Sequence, residues 1–195
     1  MPAPSTSITL PALDIQTVTL VLVGDSPLIV HAWSEKAKRQ MLDKQMKKAT
    51  KGKEAKNPEA DYEACFYRTE SGGYGFPAIG VKGAMVAACR FVDAKMTMAR
   101  GAFHIDAEML TVVGEPRPRE DMVRVGMGTA DIRYRPEFPE WRIPVTIKFN
   151  AAVISAEQIA NLLNTAGFGI GIGEWRPERN GSYGRFHVGS SAELV

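Results

Sequence analysis

The stretch RIPVTIKFNAAVISAEQIANLLNTAGFGIGIGEWRPERNGSYGRFHV, residues 142–188, reads as strand, helix, arm and strand. Residues 142–150 alternate apolar and polar side chains, the period of a half-buried strand. Ser155 and Gln158 make a capping box. Ile159, Leu162 and Leu163 then fall on one face, and Gly167 stands where a helix stops, so a helix is predicted over 155–166. A glycine-rich arm follows, and YGRFHV (183–188) reads as the last strand.

Working outward, TVTLVLV (17–23) is a β-branched, leucine-rich run closed by Gly24-Asp25-Ser26-Pro27, the signature of a core strand. In VKGAMVAACRFVDA (81–94) the residues Val81, Met85, Ala88, Cys89 and Val92 recur at helical spacing, which predicts a first central helix whose glycine-bound front end leaves backbone N–H groups free and Lys82 pointing outward. Residues 62–69 read as a short strand and AEMLTVV (107–113) as a longer one. The order is strand, basic insert, helix, strand, Arg/Pro insert, strand, helix, strand. That is an α+β chain with a ferredoxin-like (RRM-like) βαββαβ sheet carrying two insertions, and 195 residues fit one domain.

The insertions span 32–66 and 114–140. In the first, Ser34 caps a helix expected to reach about residue 48, with only Ala37, Met41, Leu42 and Met46 as an apolar stripe, and 50–61 is expected to be a mobile loop. The second carries Pro116, Pro118, Pro136 and Pro139 among Arg117, Arg119, Arg124, Arg133 and Arg135, and is expected to be too broken for a core element.

Net charge is only +2, which excludes a wholesale basic protein, yet residues 36–56 hold nine Lys and Arg against Asp43 and Glu54. That segment alone carries an excess of seven, so the rest of the chain is net negative. A basic run of this kind can track a polyanion through salt-dependent, sequence-independent attraction, with Lys44, Lys47, Lys48 and Lys51 as the contacts, or it can be a solvated face. Cys65 and Cys89 cannot build a disulfide framework, and His31, His104 and His187 have no metal-ligand spacing. No leader pattern opens the chain and no apolar run is long enough to span a bilayer, so a soluble, cytoplasmic protein without metal or cofactor is expected.

Seven glycines (167, 169, 171, 173, 181, 184 and 189) surround Arg176, Arg179 and Arg185. Glycines let backbone amides approach an anion and arginines supply charge-assisted contacts to phosphate oxygens; the alternative is a turn demanded by tight packing. A second segment, Phe76-Pro77-Ala78-Ile79-Gly80-Val81-Lys82-Gly83-Ala84-Met85, opens the helix that ends near Arg90. Through Pro77, Val81, Lys82 and Gly83, and through Gly171, Gly173, Arg176, Gly181, Gly184, Arg185 and Phe186, the chain resembles the RAMP superfamily, and in particular the RNA-binding backbone subunits of CRISPR effector complexes.

The resemblance implies binding of single-stranded RNA, guide RNA included, by backbone contacts. It also implies side-by-side oligomerisation along that RNA, with other effector subunits as further partners. It assigns 32–66 the part of a finger and 114–140 that of a thumb, with Met122, Val123 or Met127 as wedge and Arg124 and Arg133 among the clamps. The site it predicts comprises Gly80, Lys82, Gly83, Arg90, Gly171, Gly173, Arg176, Arg179 and Arg185, with Lys82 and Arg185 converging on one groove. Trp33, Tyr74, Trp141, Trp175 and Tyr183 are candidate stacking surfaces. Some relatives cleave RNA with a histidine after the first strand or an aspartate in the first insertion, which points to His31 and to Asp43 or Asp61, though no nucleophile or acid–base pair is visible in the spacing. Three rivals stand beside this reading: a phage or mobile-element protein coating single-stranded DNA, a structural assembly subunit, and a metal-independent endoribonuclease.

Overall fold

The computed structural model describes residues 12–48, 57–125 and 129–190. The first strand, β1 (Ile15–Gly24), is followed by β2 (Leu28–Ile29), helix α1 (Glu35–Gln45), helix α2 (Pro58–Glu63), β3 (Tyr67–Arg68) and β4 (Tyr74–Pro77). Then come α3 (Ala78–Ala88), α4 (Met96–Ala102), β5 (Phe103–His104), β6 (Met109–Thr111), β7 (Arg117–Val125), β8 (Thr129–Phe138), β9 (Arg142–Asn150), α5 (Ala156–Gly169) and β10 (Phe186–Val188).

Three antiparallel sheets share these strands. One has the order β10-β1-β9-β5, a second β2-β8-β7 and a third β3-β4-β6. In the first, β1 runs against β9 from Ile15↔Asn150 to Val23↔Arg142. The alternation read in 142–150 is realised: Ile143, Val145, Ile147 and Phe149 are all buried while the residues between them are not. Together with Leu22 and Phe186 they meet α3 and α5, whose Val81, Met85, Ile159 and Leu163 are fully buried in the same cluster. A sheet that is apolar on one face is stable only when that face is covered, and the two helices cover it.

The helix read at 155–166 forms with both halves of its capping box made, Gln158 N to Ser155 Oγ at 3.1 Å and Ser155 N to Gln158 Oε1 at 2.9 Å. It does not stop at Gly167. A β-carbon there would lie 1.8 Å from the carbonyl oxygen of Phe186, so this glycine serves the close approach of α5 to β10 and the helix runs on to Gly169.

Several other expectations are corrected. The strand expected at 107–113 is reduced to β6, which pairs with β4; the edge of the four-stranded sheet is instead the two-residue β5, Phe103↔Phe149 and His104↔Lys148. Part of the stretch expected as a loop over 50–61 is helical, with Asn57 capping α2 and Pro58 at its first turn, where a missing N–H costs nothing; residues 49–56 lie outside the described residues. Helix α4 was not legible. The largest difference is 114–139, which forms the long hairpin β7–β8, in register from Arg117↔Glu137 to Val125↔Thr129. Pro118 and Pro136 face each other across it. The arginines of this segment find carboxylates within the hairpin: across the strands Arg117 Nε donates to Glu137 at 2.7 Å, Arg119 to Glu137 at 3.1 Å and Arg135 to Asp121 at 3.3 Å, and along β7 Arg119 donates to Asp121 at 2.8 Å.

Among the described residues no helix is long and apolar enough to cross a membrane.

Candidate nucleic-acid cleft

The two glycine-bearing segments meet. Ile79, Gly80, Gly83 and Ala84 from the start of α3 form one wall of a cleft of about 470 Å³, and residues 170–174 with Arg176 and Glu178 form the other. His31 and Tyr67 line it as well. Each wall follows from local chemistry. Pro77 ends β4 and sits at the N-cap of α3 without a side-chain cap; Ala78 N donates to Glu108 O at 3.0 Å, so it is the later first-turn amides and the positive end of the helix that are left to whatever fills the cleft. Opposite, Gly173 has φ +76° and its missing β-carbon would lie 2.5 Å from the carbonyl oxygen of Ile29, to which Glu174 N also donates at 2.9 Å. Packing therefore accounts for much of the glycine content of the arm. Gly83 is different: a β-carbon added there would meet nothing within 4 Å.

Charge in the cleft is partly internal. Arg176 donates Nη1 to Gly173 O at 3.0 Å and, through Nε and Nη2, grips Glu178 at 3.1 and 2.9 Å. Arg90 reaches the same carboxylate at 3.1 Å. Burial works against ionisation of Glu178, but the hydrogen bonds and charges of Arg176 and Arg90 outweigh it and hold the carboxyl below its usual range. Two guanidiniums on one carboxylate leave a net positive charge at this end. At the other, Glu174 approaches Arg135 at 3.8 Å.

The remaining predicted residues are dispersed. Lys82 turns away from the cleft, donating to His104 Nδ1 at 3.2 Å and lying 6.0 Å over the Phe103 ring at the β5 edge. Arg185 immediately precedes β10, its Nε donating to Ser182 O at 3.2 Å. His104 is in register with Lys148 and so with Thr17, whereas Phe186 faces Gly24, so the two cations mark diagonally opposite corners of the four-stranded sheet. At a strand spacing of about 4.8 Å and a rise of about 3.3 Å per residue, those corners are on the order of 25 Å apart. The structure does not bring Lys82 and Arg185 into one groove.

Lys44, Lys47 and Lys48 lie at the end of α1, Lys48 paired with Asp43 at 3.0 Å, and Lys51 lies outside the described residues. Arg179 sits in the turn after Arg176. On the hairpin Arg124 is exposed and Arg133 lies 3.7 Å from Asp131, and of the three wedge residues Met122 is exposed while Met127 lies outside the described residues. Asp43 is absent from the lining of the cleft that holds His31, and Asp61 lines a separate groove beside Trp33 and Arg68. Of the aromatic candidates, Trp141 is buried with Nε1 bonded to Ser26 O, Tyr74 stacks on Phe66, Tyr183 lies beneath Arg119, and Trp33 and Trp175 are exposed. Reading by residue type passed over Phe168 and Phe91, both exposed next to the arm; an apolar residue in a helical period gives no sign of which face it takes.

No protein-family model and no curated protein sequence matches the chain. Solved structures do. A chain of the Type III-B Cmr-beta, determined by cryo-EM bound to cognate target RNA, superposes over 90% of this chain and 59% of its own length with a TM-score of 0.56 at 10% identity. This chain thus spans about three fifths of that one. Cmr6 from Pyrococcus furiosus is similar over 91% of this chain and 100% of its own, with a TM-score of 0.49 and 11% identity. What this chain shares with that Cmr-beta chain is its fold.

Proposed function

We propose that the chain binds single-stranded RNA through its sugar–phosphate backbone, in the manner of an RNA-binding RAMP subunit of a CRISPR effector complex. The observation that carries the reading is the meeting of segments 77–84 and 170–178, far apart in sequence, as the two walls of one cleft with an uncapped helix end and an open glycine. Backbone amides, a helix N-terminus and arginines hold phosphates without reading bases. The strand order β10-β1-β9-β5, with α3 and α5 on one face, supports the ferredoxin-like description of this part of the chain. In this reading residues 32–66 act as finger, 114–140 as thumb, and protomers stand side by side along the RNA.

His31 is not a cleavage residue in this reading, because its Nδ1 already accepts from Arg135 at 3.1 Å and neither Asp43 nor Asp61 lines the cleft with it.

The test is fluorescence anisotropy with a labelled single-stranded RNA at near-physiological salt. Gly83→Glu directs a carboxylate into empty space and raises helix propensity, so the fold is kept while phosphate is repelled. Combined with Arg176→Ala it is expected to weaken binding at least about tenfold, the scale of one or two lost charge-assisted contacts. Unchanged affinity in that double variant would refute the assignment. Equal competition by a matched DNA strand would transfer the reading to single-stranded DNA, since only the 2′-hydroxyl separates the two.

A further inference from the structure

Arg135, on β8, is almost completely buried, yet it is hydrogen-bonded or ion-paired to groups from three other segments. Its Nη1 donates to Asp121 on β7 at 3.3 Å, its Nε to His31 Nδ1 at 3.1 Å, and its Nη2 lies 3.8 Å from Glu174 in the glycine-rich arm. Arginine has no acceptor and stays protonated, so His31 Nδ1 must present its lone pair. A neutral imidazole then carries its hydrogen on Nε2. That nitrogen has no partner among the described residues, and no buried side-chain nitrogen or oxygen there lacks one, so it reaches open space, which the cleft provides.

We propose that Arg135 is a positioning residue that locks His31 in the Nε2–H form, making it a hydrogen-bond donor to a phosphate or ribose oxygen of the strand in the cleft. The proposal rests on the RNA-binding reading above and adds how one wall of the site is set. The groups facing His31 agree with it. Arg135 and Arg133 come from β8, Glu174 from the arm, Tyr67 from β3 with its hydroxyl on the His31 carbonyl oxygen, and Cys65 lies just ahead of β3. Burial and the charge of Arg135 push the imidazole below its ordinary value, and Glu174 only partly opposes them. A second proton would have to enter between Nδ1 and the guanidinium. The hairpin thus acts on the cleft without entering it.

Long-range proton–nitrogen correlation spectra of the full chain read the tautomer directly. The wild type is expected to show His31 protonated on Nε2 alone at pH 8 and to take up a second proton only at a lower pH than an ordinary imidazole. In Arg135→Leu, His31 should titrate closer to its ordinary value and RNA affinity should rise as it becomes cationic. Since that variant opens a buried ion cluster, His31→Asn is the companion: its Oδ1 can still accept from Arg135, but nothing stands at the Nε2 position. Affinity at pH 7.5 should then drop about fivefold to tenfold, one hydrogen bond's worth, with the melting temperature nearly unchanged. A wild-type His31 protonated on Nδ1, or a His31→Asn chain binding RNA as tightly as wild type, would overturn the proposal. Failure of the wild type to bind RNA at all would sink the functional reading and the ligand contact with it, while the spectra judge the tautomer separately.

Discussion

His31 and Glu178 both give up protons more readily in the folded chain than in the unfolded one, His31 through burial and Arg135, Glu178 because Arg176 and Arg90 outweigh its burial. The sign of the pH effect follows. Wherever the unfolded chain binds more protons, stability rises with pH. The His31 contribution is therefore present above its ordinary value of 6.5 and is lost as pH falls through the lower folded value. The Glu178 contribution is lost below about its ordinary value of 4.5. Thermal melts should show a fall in midpoint from pH 7.5 to 5.5 that His31→Asn flattens, and a further fall below pH 4.5 that persists in that variant. These partners lay outside what the sequence could show. Only the fold reveals that Arg90, 88 positions from Glu178, helps hold its carboxylate.

At the level of elements, the hairpin β7–β8 is built around a carboxylate. Asp121 is buried and sits between Arg119 at 2.8 Å and Arg135 at 3.3 Å, while Arg119 also reaches the Tyr183 hydroxyl at 3.2 Å. Removing one partner of a buried pair leaves the other uncompensated, so Asp121→Ala should cost on the order of 3–5 kcal/mol in denaturant unfolding. Amide exchange should quicken along the hairpin and in the arm, where Arg119 and Arg135 attach. Elements with local signals were legible: α5 declared itself by Ser155 and Gln158, β9 by its alternation. The hairpin was not, because its prolines imitate a loop and its stabilising pairs, such as Arg117 with Glu137, are cross-strand contacts that no local window contains. Likewise β5 is too short to carry a period.

Across the whole molecule, glycines of both segments (Gly80, Gly83, Gly171 and Gly173) line one cleft, but the cations beside them in sequence do not all follow. Lys82 and Gly83 are neighbours in sequence and point to different surfaces, because successive residues on a helix are about 100° apart. This divergence sets a ruler for the bound polymer. With Lys82 and Arg185 at far corners of the four-stranded sheet and the cleft elsewhere, no short fragment can engage all three stations at once. Titrations with oligonucleotides of graded size should give modest affinity for fragments that fill only the cleft, followed by a steep gain once the strand is long enough to span on the order of 25 Å. Neutralising Lys82 or Arg185 should abolish the gain and leave the modest affinity intact. A smooth, featureless increase with size would mean that those two corners take no part in holding the strand.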